Sequence, residues 1–168
     1  MFTVEMQALV NAFENLFAVE NKQHPKLMKE FLGGRVSLET IIIFGDITIG
    51  KNYESSDINL LIKKLYETNF FSNISVELQD GQLNIIVEEN PIINTLVLKG
   101  EKTEKYTRAI TEKLILREKT SFLENYIKSD INLIKTFYRQ LGFYFVKIDL
   151  DIEKLKRNRV NLIYSIDK

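Results

Sequence analysis

Ser56-Asp57-Ile58-Asn59-Leu60 returns as Ser129-Asp130-Ile131-Asn132-Leu133, a shift of 73 positions from Asp57 to Asp130. The register then runs on without a gap: Leu65 meets Tyr138, Asn69 meets Gly142, and Phe70-Phe71 meets Phe143-Tyr144. Both copies lead from a helical pattern through an aromatic pair into an alternating strand. A repeat of this length exceeds a solenoid turn and is the size of a small domain. The chain therefore reads as one module present twice in tandem, which favours a binding scaffold over a single-site enzyme.

Working outward, Ser55 or Ser56 is placed to cap a helix over 56–68, with Asp57 near the positive end of its dipole and Ile58, Leu61, Ile62 and Leu65 as the buried stripe. Asn73 to Gln79 alternates with period two, Asp80-Gly81 is a hairpin turn, and Leu83 to Val87 is the return strand. Upstream, residues 37–44 predict a helix, although the run Ile41-Ile42-Ile43-Phe44 also suits a strand. The opening strand of this copy falls on Leu27 to Leu32, where alternation is poor.

The second copy opens with a strand over Thr95 to Gly100, followed by helices over Glu104–Leu116 and Ser129–Leu141, with Gly142 as the helix stop. Strands over 144–151 and 159–166 complete it, joined by a charged tip at Glu153 to Arg159. Each copy is thus strand–helix–helix–strand–strand. The expected division is an atypical helical segment at 1–26, a first domain at 27–91 and a second at 92–168.

Composition narrows the function. Net charge is zero, with 23 basic and 23 acidic residues, which argues against a nucleic-acid surface. No cysteine is present, so disulfides, thiolate metal sites and thiol nucleophiles are all excluded. Eleven Phe and seven Tyr supply the apolar area that domains of this size need. No apolar run reaches the length of a transmembrane helix, and the acidic start, with Glu5, Glu14 and Glu20, does not resemble a secretory signal.

No constellation points to catalysis or to a cofactor. His24 is the lone histidine and precedes a proline in a polar stretch. Glu88 and Glu89 are strand neighbours, so they face opposite ways and cannot converge on one reacting atom. Gly33-Gly34 lacks the lysine of a phosphate loop. The cations Lys154, Lys156, Arg157 and Arg159 read as a solvated hairpin tip, and the pairs Phe70-Phe71 and Phe143-Tyr144 read as core rather than as base-stacking platforms. What has a physical route to function is the sheet itself. Three strands cannot close a barrel, so each sheet keeps edges whose unpaired N–H and C=O groups can accept a further extended chain.

Leu65-Tyr66-Glu67-Thr68-Asn69-Phe70-Phe71-Ser72-Asn73-Ile74-Ser75-Val76 resembles the LY-x-T-G-x-F-x-x-V-x-V stretch of polypeptide-transport-associated (POTRA) domains, with Asn69 where the family has Gly. Glu88-Glu89-Asn90-Pro91-Ile92-Ile93-Asn94 resembles the V-x-E-N-P-x-I junction between the first two repeats of BamA-type outer-membrane β-barrel assembly factors, and Arg35 to Ile41 resembles the start of the first helix. The resemblance covers residues 35–168 and implies an α+β fold of two tandem POTRA-like domains, each a three-stranded mixed sheet covered on one face by two helices.

The function it implies is a non-catalytic periplasmic scaffold, without cofactor or metal, attached to an outer-membrane barrel and binding unfolded outer-membrane proteins, periplasmic chaperones and assembly lipoproteins. It also implies that strand addition uses the middle strand of each repeat, represented here by Ile74, Ser75, Val76, Glu77 and Leu78 and by Val146, Lys147, Ile148, Asp149 and Leu150. The alternatives are a POTRA region from another secretion or cell-division protein, or, in a different class, a small enzyme or nucleic-acid-binding domain.

Overall fold

A computed structural model describes residues 36–48, 50–79 and 82–168, together with the backbone of a strand at 28–32. The expected segment 1–26, His24, Gly33-Gly34 and the Asp80-Gly81 turn lie outside the described residues. In chain order the elements are β1 (Met28–Leu32), α1 (Leu38–Gly45), α2 (Ser55–Glu67), β2 (Phe71–Gln79), β3 (Gln82–Glu89), β4 (Ile92–Lys99), α3 (Glu104–Thr111), a short 3-10 turn (Glu124–Tyr126), α4 (Ile127–Gln140), β5 (Lys147–Leu155) and β6 (Arg159–Asp167).

The strands form two separate three-stranded sheets, ordered β1-β3-β2 and β4-β6-β5. In each, the first strand lies parallel to the last and the last two form an antiparallel hairpin. The β2–β3 ladder runs as far as the pair Gln79 and Gln82. A parallel pair needs a long crossover, and here the two helices of each unit supply it.

Each sheet buries one face against its helices. In the first unit Ile41 of α1 and Leu61 and Leu65 of α2 pack on Phe71, Ile74, Leu83, Ile85 and Val87. The second unit packs Ile110, Ile134 and Tyr138, with Leu114 and Leu116 from the loop after α3, on Ile93, Leu98, Ile148, Val160, Leu162, Tyr164 and Ile166. β6 shows the period-two pattern most clearly: Val160, Leu162, Tyr164 and Ile166 are buried, and the residues between them are not.

The run Ile41 to Phe44 is helical, not a strand. Only Ile41 is fully buried, while Ile43 and Phe44 are largely exposed, because a helix cannot turn four consecutive residues inward. Two glycines have a steric role. Gly100 follows β4 at φ +96°, where a Cβ would lie 2.3 Å from the Ile166 carbonyl oxygen. Gly142 ends α4 at φ +91°, the expected left-handed stop.

Several boundaries differ from expectation. α2 is capped from Glu54, not Ser55 or Ser56: Asp57 accepts the Glu54 N–H at 3.1 Å and pairs with Lys51 at 2.8 Å. α3 stops at Thr111 rather than Leu116. The buried Asp130 carboxyl takes the Ile115 and Leu116 N–H groups at 2.8 and 3.0 Å, groups that a continuing helix would turn to its own carbonyls, and Leu114 and Leu116 drop into the core instead.

β5 starts at Lys147 rather than residue 144 and runs to Leu155, so Glu153 to Leu155 are strand and the tip shrinks to Lys156–Asn158. Phe70-Phe71 does pack into the core, but Phe143-Tyr144 does not: Phe143 is 42% and Tyr144 72% exposed, and Phe145 stands almost bare. Residues 141–146 are spent in turns, so the second aromatic pair reaches its sheet too late to enter it.

Candidate functional site: the sheet edges

β2 and β5 both lie at sheet edges, each paired on one side only. In an antiparallel edge strand the N–H and C=O of a given residue point the same way, and alternate residues point to the free side. The Ile74 N–H donates to the Tyr66 hydroxyl of α2 at 3.1 Å, so it faces away from β3. By the same alternation Val76 and Leu78 turn their main-chain groups outward. Among the described residues nothing bonds to the outer side of Val76 to Leu78, and a phenol plugs Ile74.

The sequence-derived binding residues fall into distinct environments. Ile74 and Ile148 are buried in the two cores, and Val76 and Leu150 are half-buried on the same faces. The side chains of these four are turned to the cores and not to a guest. Ser75 is half-buried, whereas Glu77, Lys147 and Asp149 are exposed, and Leu78 is 44% exposed at the strand end. Val146 corrects the expected set, because it precedes β5 and makes no ladder pair; the turns at 141–145 delay the strand by three residues.

β5 presents Lys147, Asp149, Asp151 and Glu153 on its solvent face, with Lys147 and Asp149 3.3 Å apart. Charge of this kind discourages indiscriminate edge pairing without closing the edge. Among the described residues no side chain hydrogen-bonds to the β5 backbone. The phenol that plugs β2 has no counterpart here, because the repeat places Arg139 where the first copy has Tyr66.

β4, the other edge of the second sheet, is covered from its start as far as Leu96. Ile93 N–H donates to the Thr120 carbonyl at 2.9 Å, Lys119 N–H donates to the Ile93 carbonyl at 2.7 Å, and Phe122 N–H donates to the Pro91 carbonyl at 2.7 Å. The Glu118 carboxylate accepts the Leu96 N–H at 3.0 Å. Segment 117–122 therefore occupies the positions an incoming strand would take. Sequence reasoning treated 117–123 as a plain connection and missed this role. The only sequence signal was the length of the stretch between the two helices.

A second polar centre lies at the end of the second unit. Glu101 accepts from Lys168 Nζ at 2.7 Å, from the Thr103 N–H at 2.7 Å and from the Tyr138 hydroxyl. Burial pushes its carboxyl up, but these donors outweigh burial and hold it at about 2. Burial and the Glu101 carboxylate together raise Tyr138 above the usual phenol range. Lys168 also stands 4.9 Å from the Tyr138 ring centroid. With its partners fully engaged, this cluster is a structural tie from β6 to the start of α3.

Near Asp130 the Tyr164 hydroxyl is buried without a hydrogen bond of normal geometry. A groove of about 310 Å³ lies along α4, lined by Lys113, Ser129, Asn132, Leu133, Thr136, Phe137 and Gln140. Its one ionisable side chain is a lysine, so it holds no acid–base pair. Among the described residues no group of three or more His, Cys, Asp or Glu could hold a metal ion, and no helix is long and apolar enough to cross a membrane.

Comparison with known proteins bears on the fold and the kinship. Residues 91–168 match the POTRA family model, described as a surface antigen variable number repeat. The chain is 29% identical over 136 residues to the outer membrane protein assembly factor BamA of Neisseria meningitidis serogroup B, covering 80% of this chain and 17% of that protein. It is 26% identical over 133 residues to BamA of Neorickettsia risticii, covering 79% of this chain and 18% of that protein. The chain thus spans less than a fifth of the length of these curated relatives. Among solved structures, the N-terminal domain of Omp85 from Thermosynechococcus elongatus superposes with a TM-score of 0.51 at 14% identity, over 83% of this chain and 60% of that one. Residues 91–168 are therefore POTRA-like, preceded by a unit of the same topology, in a chain similar to the outer-membrane protein assembly factor BamA.

Proposed function

We propose that this chain is a non-catalytic periplasmic module of an outer-membrane protein assembly machinery, which takes extended segments of unfolded β-barrel clients by strand addition at β2 and β5. The working units are 27–91 and 92–168, carried by an outer-membrane barrel in the whole protein, with chaperones and assembly lipoproteins as further partners. The observation that carries this reading is the asymmetry of the second sheet: segment 117–122 covers β4 as far as Leu96, whereas among the described residues nothing bonds to the outer main-chain groups of β5. Backbone pairing needs little side-chain information, which suits a receptor for many clients of different sequence. The similarity to BamA supports the same setting.

The test is an amide-resolved NMR titration of the chain with a synthetic peptide copying one transmembrane strand of an outer-membrane barrel. Shifts and new exchange protection are expected at 76–78 and 147–155. Val76→Pro removes one outward donor and leaves the β3 pairing intact, so it should abolish the first-unit response alone. Shifts centred on β4, on the α4 groove, or nowhere would refute the proposal.

A further inference from the structure

The two-residue connection between β3 and β4, Asn90-Pro91, is bonded along its whole length. Asn90 N–H donates to the Phe70 carbonyl at 2.8 Å, and its side-chain amide donates to the Asn69 carbonyl at 3.0 Å, which ties it to the first unit. The Pro91 carbonyl accepts from Phe122 N–H and Ile93 N–H donates to Thr120, which ties the following residues to the second unit. Between these anchors one residue reaches both ways. Asn158, at the tip of the β5–β6 hairpin, accepts the Ile92 N–H on its carbonyl at 3.0 Å and donates its side-chain amide to the Glu89 carbonyl at 2.8 Å. Glu89 is the last residue of β3, so this bond joins the hairpin tip of the second unit to the final strand of the first.

We infer that Asn158 is a latch that fixes the orientation of the two units relative to each other, so that the β2 and β5 edges are held in one spatial relation. Domains joined by a short linker move relative to one another by default unless contacts prevent it. Among the described residues the hydrogen bonds at this junction run through Glu89, Asn90, Pro91 and Asn158, and Asn158 is the member supplied from far along the chain. The residue type suits the place. Asn158 sits at φ 51° beside Arg157 at φ 61°, and asparagine accepts this left-handed conformation better than other side chains that carry an amide donor. The inference does not depend on what binds the edges.

Residual dipolar couplings of the intact chain in one alignment medium test it, with Asn158→Gly as the clean variant. Glycine keeps the left-handed turn and removes only the side-chain donor. The wild-type chain is expected to fit a single alignment tensor across both units. Asn158→Gly should split it into two tensors, with the order of one unit lower than that of the other, while the β5–β6 cross-strand contacts persist. Asn158→Asp, which puts a carboxylate oxygen against the Glu89 carbonyl, should give the same split and covers the case in which the glycine variant folds poorly. Two tensors in the wild-type chain, or a single tensor retained in the folded variants, would overturn the inference.

Discussion

Asp57 and Asp130 occupy the same place in the two repeats, and their substitution should have very different consequences. Asp130 has no exposed surface, and it is the partner of the Ile115 and Leu116 N–H groups, the second of them in a fully buried bond. Asp130→Ala removes two hydrogen bonds to a carboxyl and strands both donors. An unsatisfied buried donor costs about 1–3 kcal/mol, so the pair amounts to about 4 kcal/mol. The loop that carries Leu114 and Leu116 into the core loses its anchor at the same time. For a domain of this size that corresponds to a fall in melting temperature of about 15–30 °C, a large share of the stability of a small domain. Asp130→Asn keeps one acceptor and should fall between wild type and alanine.

Asp57 by contrast caps an exposed helix end and pairs with Lys51 in water, and Asp57→Ala should shift the first unit only slightly. Urea titrations read by amide cross-peaks follow each unit separately in the same tube. A loss below about 1 kcal/mol for Asp130→Ala, or one equal to that of Asp57→Ala, would refute the reasoning.

Acid should weaken the second unit through Glu101. Its carboxyl lies at about 2 in the folded chain against an ordinary 4.5, so the unfolded chain binds the proton first; the stability Glu101 contributes is fully present above about pH 4.5 and disappears as pH falls toward 2. Glu101→Gln should flatten that part of the stability-against-pH curve, measured by circular dichroism during denaturant titration at several pH values. The repeat-matched aromatics should also diverge: Phe71→Ala should cost about 3–5 kcal/mol, because the ring is core, whereas Tyr144→Ala should stay within about 0.5 kcal/mol of wild type, because the ring is exposed. Thermal melts of the two variants distinguish the cases.

The architecture was legible in the chain alone. The 73-residue repeat, the helical stripe Leu61–Leu65, the alternation in β2 and β3 and the glycine stop after α4 are local patterns, and local backbone preference plus one buried face are enough to produce them. The opening strand was the weak point because Met28 to Leu32 alternates poorly; its place comes from pairing with β3 across more than fifty residues. Tertiary structure alone decided the functional details. Identical pentapeptides put Asp57 on a helix cap and Asp130 in a core, because only the second copy brings a loop of bare N–H groups over its helix. Which edge stays open was likewise illegible: β4 and β5 are both edge strands by pattern, and only the return of 117–122 across β4 separates them. Periodicity records which face of a residue is buried, whereas edge closure depends on where a distant segment travels, and short-range pattern carries no record of that path.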